Sequence, residues 1–307
     1  MNDAIEQPPA KKGLSGTALR VATVAPLIPI IVWMMFAGPR WLWQTFILTA
    51  IAIGGYELMS MKVPSSRGLR TWGSLSSVMF AYTIMSYDSA SAVYGVVLLI
   101  VLGAMVWSLL QEDPLHEAGV RVGWLIGTPV YVGGGMVALA LVRDFAPTGA
   151  WVLMTMVLAW GSDTAAYFVG RKFGRTKLAP RISPKKTIEG SAAGLTASVV
   201  GAAIMSFFLP GIGVLDGIAL GVLGGSAGQA GDLLVSVLKR SSGVKDSGGI
   251  LPGHGGILDR VDALVFAAPA TWAYGHFIAG FSSQGPSAIG QTARSCGSLQ
   301  GFVHRRP

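Results

Sequence analysis

The sequence predicts an all-α fold, a polytopic integral membrane protein with about eight or nine transmembrane helices. Three observations carry that expectation. Of 307 residues, 51% are hydrophobic and only 12% charged, with a mean hydropathy of +0.56. Soluble domains carry about 25% charged residues, so there is too little charge here to cover a water-facing surface. The apolar residues gather in runs long enough to cross about 30 Å of hydrocarbon as helices. Lys and Arg cluster in some of the connections between these runs and are sparse in others, as in a chain threaded back and forth through a bilayer.

Taken in order, the candidate spans are about 19–37, 41–60, 72–87, 91–110, 122–142, 150–170, 190–209, 213–238 and 261–280. The third is the shortest. Residues 1–18 are polar and lack a small-residue cleavage pattern, so the first run reads as a retained span after a cytoplasmic N-terminus. Residues 19–149 form the N-terminal helices, 150–280 the C-terminal catalytic region, and 281–307, rich in Ser and Gly, a disordered polar tail. An inside N-terminus puts Lys11, Lys12, Lys62, Arg67 and Arg70 in the cytoplasm. The same holds for the dense loop from Arg171 to Lys186 and for Lys239, Arg240 and Lys245, while Arg40, Asp88, Arg143, Asp144 and Asp216 fall opposite. Retention of these loops explains the net charge of +8. No aromatic–basic recognition module is visible, so nucleic acid is not an expected partner.

Cys296 is the only cysteine, which excludes an internal disulfide and a cysteine zinc cluster. Small residues crowd 131–135, 190–198 and 221–231, predicting close helix packing. Gly225 and Gly228 alternatively leave room for a lipid headgroup. Trp41, Trp43, Met34 and Met35 read as interface anchors and packing. Glu57, near the end of the second span, has no evident role. P-loop, zincin and hydrolase-elbow patterns are missing from the sequence.

The chemistry concentrates in residues 231–262, which carry Asp232, Asp246, Asp259, Asp262, Lys239, Arg240, Lys245, Arg260 and His254. If Asp232 lies in the last turns of a helix, Ser236, Lys239 and Arg240 share its face. A glycine-studded loop follows, and Asp259 and Asp262 open the next helix. An aspartate within a span costs about 2.5–3.5 kcal/mol by insertion scales and therefore normally faces a polar cavity or a partner. Carboxylates beside cations and glycines at a membrane edge point to a metal-assisted phosphate site, with Mg²⁺ taking one or two protein carboxylates plus substrate phosphates. The alternative for Asp232 is an interfacial pair with Lys239 or Arg240. Asp246 either pairs with Lys245 at the surface or supports the site. Asp262 either ligates, orients Arg260 or caps the last helix. His254 reads as a phosphate- or loop-orienting group, with general base as the alternative. Gly248, Gly249, Gly253, Gly255 and Gly256 offer backbone N–H groups to phosphate oxygens.

A second constellation spans residues 160–190. Asp163, Tyr167 and Arg171 fall on one helix face, so Asp163 is either part of the site or a structural partner of Arg171. In residues 183–190, Ser183, Lys185, Lys186 and Thr187 precede a helix start, where lysines beside a positive helix N-terminus hold phosphate or anchor to the membrane.

Ser236, Lys239, Arg240, Lys245, Asp246, Pro252, His254, Gly255, Gly256, Asp259, Arg260 and Asp262, in this order and spacing, resemble the signature of the phosphatidate cytidylyltransferase family. The Asp-Thr-x-Ala-Tyr element at Asp163 and the Ser-Pro-Lys-Lys-Thr element at Ser183 resemble the same family. The likeness covers roughly 160–262. It implies a polytopic enzyme that condenses CTP with phosphatidic acid into CDP-diacylglycerol and pyrophosphate at the cytoplasmic face of the inner membrane. It also implies Mg²⁺ bound by Asp232 and Asp259, with a second cation as a further expectation. Lys239, Arg240, Lys185, Lys186 and Arg260 are then expected to grip phosphates, and phosphatidate to enter from the inner leaflet. A homodimer is compatible with this reading. The rivals are another metal-dependent membrane phosphotransferase and an ion-coupled transporter relaying cations through Asp163 and Asp232.

Overall fold

The computed structural model describes residues 25–286 apart from 26, 65, 112–114, 147, 251–254 and 283–284. Helices follow the apolar runs closely. They are α1 (Leu27–Phe36), α2 (Arg40–Lys62), α3 (Arg67–Ser86), α4 (Ala90–Leu109), α5 (Leu115–Arg143), α6 (Ala150–Phe173), α7 (Ile188–Ser206) and α8 (Val214–Ser241). The short α9 (Leu258–Val261) precedes α10 (Leu264–Ala273), which lies within the last expected span. Six of these helices, α2, α4, α5, α6, α7 and α8, are long and apolar enough to cross a membrane. The protein is a multi-pass, all-α membrane protein.

Local sequence sets several boundaries. The third helix begins at Arg67 rather than near residue 72, because Ser66 accepts the amide of Leu69 at 3.3 Å and caps the helix there. In α5, Pro129 brings no N–H to the helical ladder, and residues Pro129–Gly134 widen into a π turn. A second π turn, Val157–Gly161, lies immediately before Asp163 in α6.

The glycines of α8 are packing residues. A Cβ at Gly217 would lie 2.6 Å from the carbonyl oxygen of Ala202, and one at Gly225 would lie 2.6 Å from Ser198 Cβ, both on α7. Gly228 faces Ala159 and Ala263 instead of a headgroup-sized space. A Cβ at Gly231 would come 2.5 Å from the carbonyl oxygen of Asp262, so α8 touches the start of the last helix at the level of Asp232. The core around Met136, Trp151, Leu158 and Leu264 joins α5, α6 and α10.

Polar contacts mark two ends of the bundle. At one, Arg40 pairs with Asp144 at 2.7 Å, and Arg143 donates to the carbonyls of Met34, Met35 and Gly38. At the other, Lys62 of α2 donates to Leu238 O at 2.9 Å and Ser241 Oγ at 2.6 Å, closing the C-terminal turn of α8.

Two short antiparallel ribbons depart from the all-helical expectation: β1 (Lys177–Ala179) with β2 (Ser183–Thr187), and β3 (Phe281–Ser282) with β4 (Gly285–Pro286). Phe281, placed in a polar tail by sequence, is buried against Phe145 and Trp151. Residues 1–18 and 287–307 lie outside the described residues.

Candidate active site

A cavity of about 1360 Å³ gathers much of the predicted chemistry. Its lining includes Asp163, Asp232, Asp259 and Asp262, Lys185, Lys186 and Arg260, and Thr187. The lining also includes apolar side chains of α1 and α2, among them Ile28, Ile31, Phe46, Ile47 and Ile53.

The lysines reach the cavity because of the first ribbon. Lys177 pairs with Thr187 and Ala179 with Ser183, which folds the Ser-Pro-Lys-Lys-Thr element back as a strand. Thr187 then caps α7, its hydroxyl accepting the Gly190 amide at 3.2 Å. Glu189 accepts the amides of Arg175 and Thr176, each at 3.1 Å, and pins the other arm. Lys186 emerges beside the cavity and forms an ion pair with Asp232. The partner of Asp232 is therefore neither Lys239 nor Arg240.

Asp232 lies within electrostatic reach of both Asp163 on α6 and Asp262 just ahead of α10, and all three line the cavity. Asp262 also accepts the amide of Ala263 at 2.9 Å. Arg171 bonds the hydroxyl of its own-turn neighbour Tyr167 at 3.1 Å, which leaves Asp163 to the acidic group.

Asp259 is held differently. Its Oδ1 accepts from Lys239 at 2.7 Å, and its Oδ2 accepts from the amides of Ser247 at 2.8 Å and Gly256 at 3.1 Å. Burial raises the energy of its charged form, but these three donors outweigh burial and hold the carboxyl below the usual aspartate range. Gly255 turns the chain into this contact with φ +78, and a Cβ there would sit 2.9 Å from Asp259 Oδ2.

Other expected site residues stand back from the cavity. Arg240 donates to the carbonyls of Ile182 at 3.4 Å and Val244 at 3.3 Å, bracing ribbon and loop instead of pointing at a phosphate position. Among the described residues, Ser183, Ser236, Lys239, Lys245, Asp246, Gly255 and Gly256 also lie outside the cavity lining. His254 falls outside the described residues. Of the glycine amides expected to cradle phosphate, that of Gly256 is directed at the Asp259 carboxylate, since a buried carboxylate needs donors, and Gly253 falls outside the described residues.

Two residues gain roles that sequence reading did not give them. Gln229, one turn before Asp232, bonds Ser191 through both its amide oxygen and its amide nitrogen, and reaches Ser162 at 3.2 Å. A lone amide in a Gly/Ala span was the available signal. Glu57 is 3% exposed and accepts from Ser247 Oγ at 3.2 Å, Ile257 N at 3.0 Å and Leu258 N at 2.9 Å.

The donor set suits a hard divalent cation, offering carboxylate oxygens in excess over their lysine partners. Among the described residues no three acidic, His or Cys side chains stand close enough to enclose an ion alone.

Comparison with known proteins agrees with this architecture. A phosphatidate cytidylyltransferase of Brucella suis is 34% identical over 276 residues, spanning 80% of this chain and 97% of that protein. The Pseudomonas aeruginosa protein of the same name is 32% identical over 279 residues, 83% of this chain and 97% of its own. The Bacillus subtilis one is 37% identical over 195 residues, 61% and 70% respectively. The family model described as "Cytidylyltransferase family" matches residues 18–278, nearly all of the helical region, and the chain belongs to that family.

Proposed function

We propose that this chain is a phosphatidate cytidylyltransferase, condensing CTP with phosphatidic acid into CDP-diacylglycerol and pyrophosphate. The observation that carries the reading is one cavity lined by both charged and apolar side chains. Its carboxylates and cations suit a nucleoside triphosphate with its metal, and its apolar side chains from α1 and α2 suit acyl chains. A substrate with both a phosphate head and a hydrocarbon body fits such a space.

In the proposed reaction a phosphate oxygen of phosphatidate attacks the α-phosphorus of CTP. The new O–P bond forms as the bond to the bridging oxygen breaks, and the β- and γ-phosphates leave as pyrophosphate. A phosphate monoester has a second pKa of about 6, so the nucleophile is already ionised and no general base is required. Positioning and charge neutralisation carry most of such a transfer. Lys185, Lys186 and Arg260 hold phosphates, Lys186 exchanging its bond to Asp232 for one to the substrate. We assign Asp232 and Asp259 to Mg²⁺, with Asp163 and Asp262 adding negative charge around them. Bound Mg²⁺ supplies neutralisation of the charge that develops on the transferring phosphoryl group. Phosphatidate enters sideways from the inner leaflet, and the site faces the cytoplasm, where CTP is available.

The test is direct. Purified protein incubated with labelled CTP, phosphatidate and Mg²⁺ is expected to form a liponucleotide and pyrophosphate in equal amounts. Failure to form a liponucleotide, with substrate uptake by proteoliposomes instead, would establish the transporter reading.

A further inference from the structure

Glu57 is a buried carboxylate outside the cavity lining, and α2 delivers it to the loop that precedes Asp259. It touches both ends of that loop. At the near end Ser247 donates its hydroxyl to Glu57 Oε2, and at the far end Ile257 and Leu258, the first amides of α9, donate to Oε1 and Oε2. These amides have no partner within their own helix. Both flanks of the loop lie tight against the carboxylate, for a Cβ at Gly248 or at Gly256 would each come 2.5 Å from a Glu57 oxygen. The same two places serve Asp259, whose Oδ2 is held by the amides of Ser247 and Gly256. Five residues on, Lys62 fastens the end of α8, from which Lys239 reaches Asp259 Oδ1. One helix thus brings an acceptor to the head of α9 and a donor to the tail of α8, clamping both supports of Asp259.

We propose that Glu57 is a positioning residue for Asp259, fixing the direction in which that carboxylate meets the metal–phosphate complex. The proposal rests on the cytidylyltransferase reading above. Loss of such outer support around a metal ligand generally costs 10–100-fold in affinity or activity.

The experiment uses the full chain in detergent with Glu57→Gln and Glu57→Ala. Turnover per folded molecule is expected to fall about 10-fold or more in Glu57→Ala, and half-saturating Mg²⁺ to rise. The KM for phosphatidate should stay within about twofold, since Glu57 is absent from the cavity wall. Gln keeps an oxygen for one amide but loses the other acceptor, so its values should fall between wild type and Ala. Amide exchange at residues 256–258 should quicken about 10-fold or more in both variants. A residue with only a structural role would lower yield or thermal stability, leaving turnover per folded molecule and the Mg²⁺ curve in place, and that result overturns the proposal. So does unchanged exchange at 256–258. If Glu57→Ala does not fold, Glu57→Gln and Ser247→Ala, which deletes a single bond, decide by the same readouts. A wild-type protein that makes no liponucleotide refutes the functional reading instead, and the exchange measurement still decides whether Glu57 holds the loop.

Discussion

Asp232 lies on an apolar helix, where insertion scales assign about 2.5–3.5 kcal/mol to an aspartate. Its lysine partner, Lys186, comes from another element. Substituting Asn keeps the shape and removes the charge. Asp232→Asn should therefore insert and purify normally while turnover falls by at least about 100-fold. Near-wild-type turnover would remove Asp232 from the metal site. Asp259 yields a prediction of a different kind. Its short helix lies outside the spans, and its carboxyl is held below the usual aspartate range, so the folded state binds its proton less readily than the unfolded chain does. The stabilisation is therefore fully present above the unfolded value of about 3.9 and is lost as pH falls through the lower folded value. The difference in thermal midpoint between wild type and Asp259→Asn should stay flat from about pH 8 to 5 and shrink below about pH 4. A difference that vanishes near neutrality would contradict the Lys239–Asp259 pairing.

At the scale of elements, the contact between α7 and α8 depends on the absence of side chains. Gly217 faces backbone, and its neighbour cannot swing away as a flexible side chain could. Gly217→Ala should cost about 1–3 kcal/mol through overpacking. Gly95 on α4 has nothing within 4 Å of a built Cβ, and Gly95→Ala should be neutral within about 0.5 kcal/mol. Detergent-unfolding midpoints of the two variants would separate them, and equal effects would refute this account of the helix contact. The helices themselves were legible in sequence, because hydropathy is a local property and each span carries its own signal. The ribbon at 177–187 was not legible. Its strands are only three and five residues long, and Lys-rich Ser-Pro-Lys-Lys has little strand propensity of its own; pairing and the Glu189 clamp create it. The carboxylates and lysines of the site were legible as residue types. Which lysine meets which aspartate was not, since Lys186 and Asp232 meet only after the ribbon folds back. Glu57 stayed silent for the same reason, its partners lying 190 to 201 residues further along the chain.

Over the whole molecule, side-chain contacts sort the charges to two ends. Lys62, Lys239, Arg240 and the ribbon belong to the site end, tied together by the Lys62 bonds to α8 and the Arg240 bonds to Ile182 and Val244. Arg40, Arg143 and Asp144 belong to the far end. Cations are far denser at the site end, and lysine and arginine in short loops hold those loops in the cytoplasm. The site should therefore face inward. With Cys296→Ser as background, Arg181→Cys and Asp88→Cys each place one thiol on an exposed connection, the first in the ribbon turn and the second between α3 and α4. A membrane-impermeant maleimide added to intact cells is expected to label Asp88→Cys and to reach Arg181→Cys only after the membrane is opened. The opposite pattern would place the carboxylates and lysines of the cavity away from cytoplasmic CTP, and the proposed reaction would lose its nucleotide.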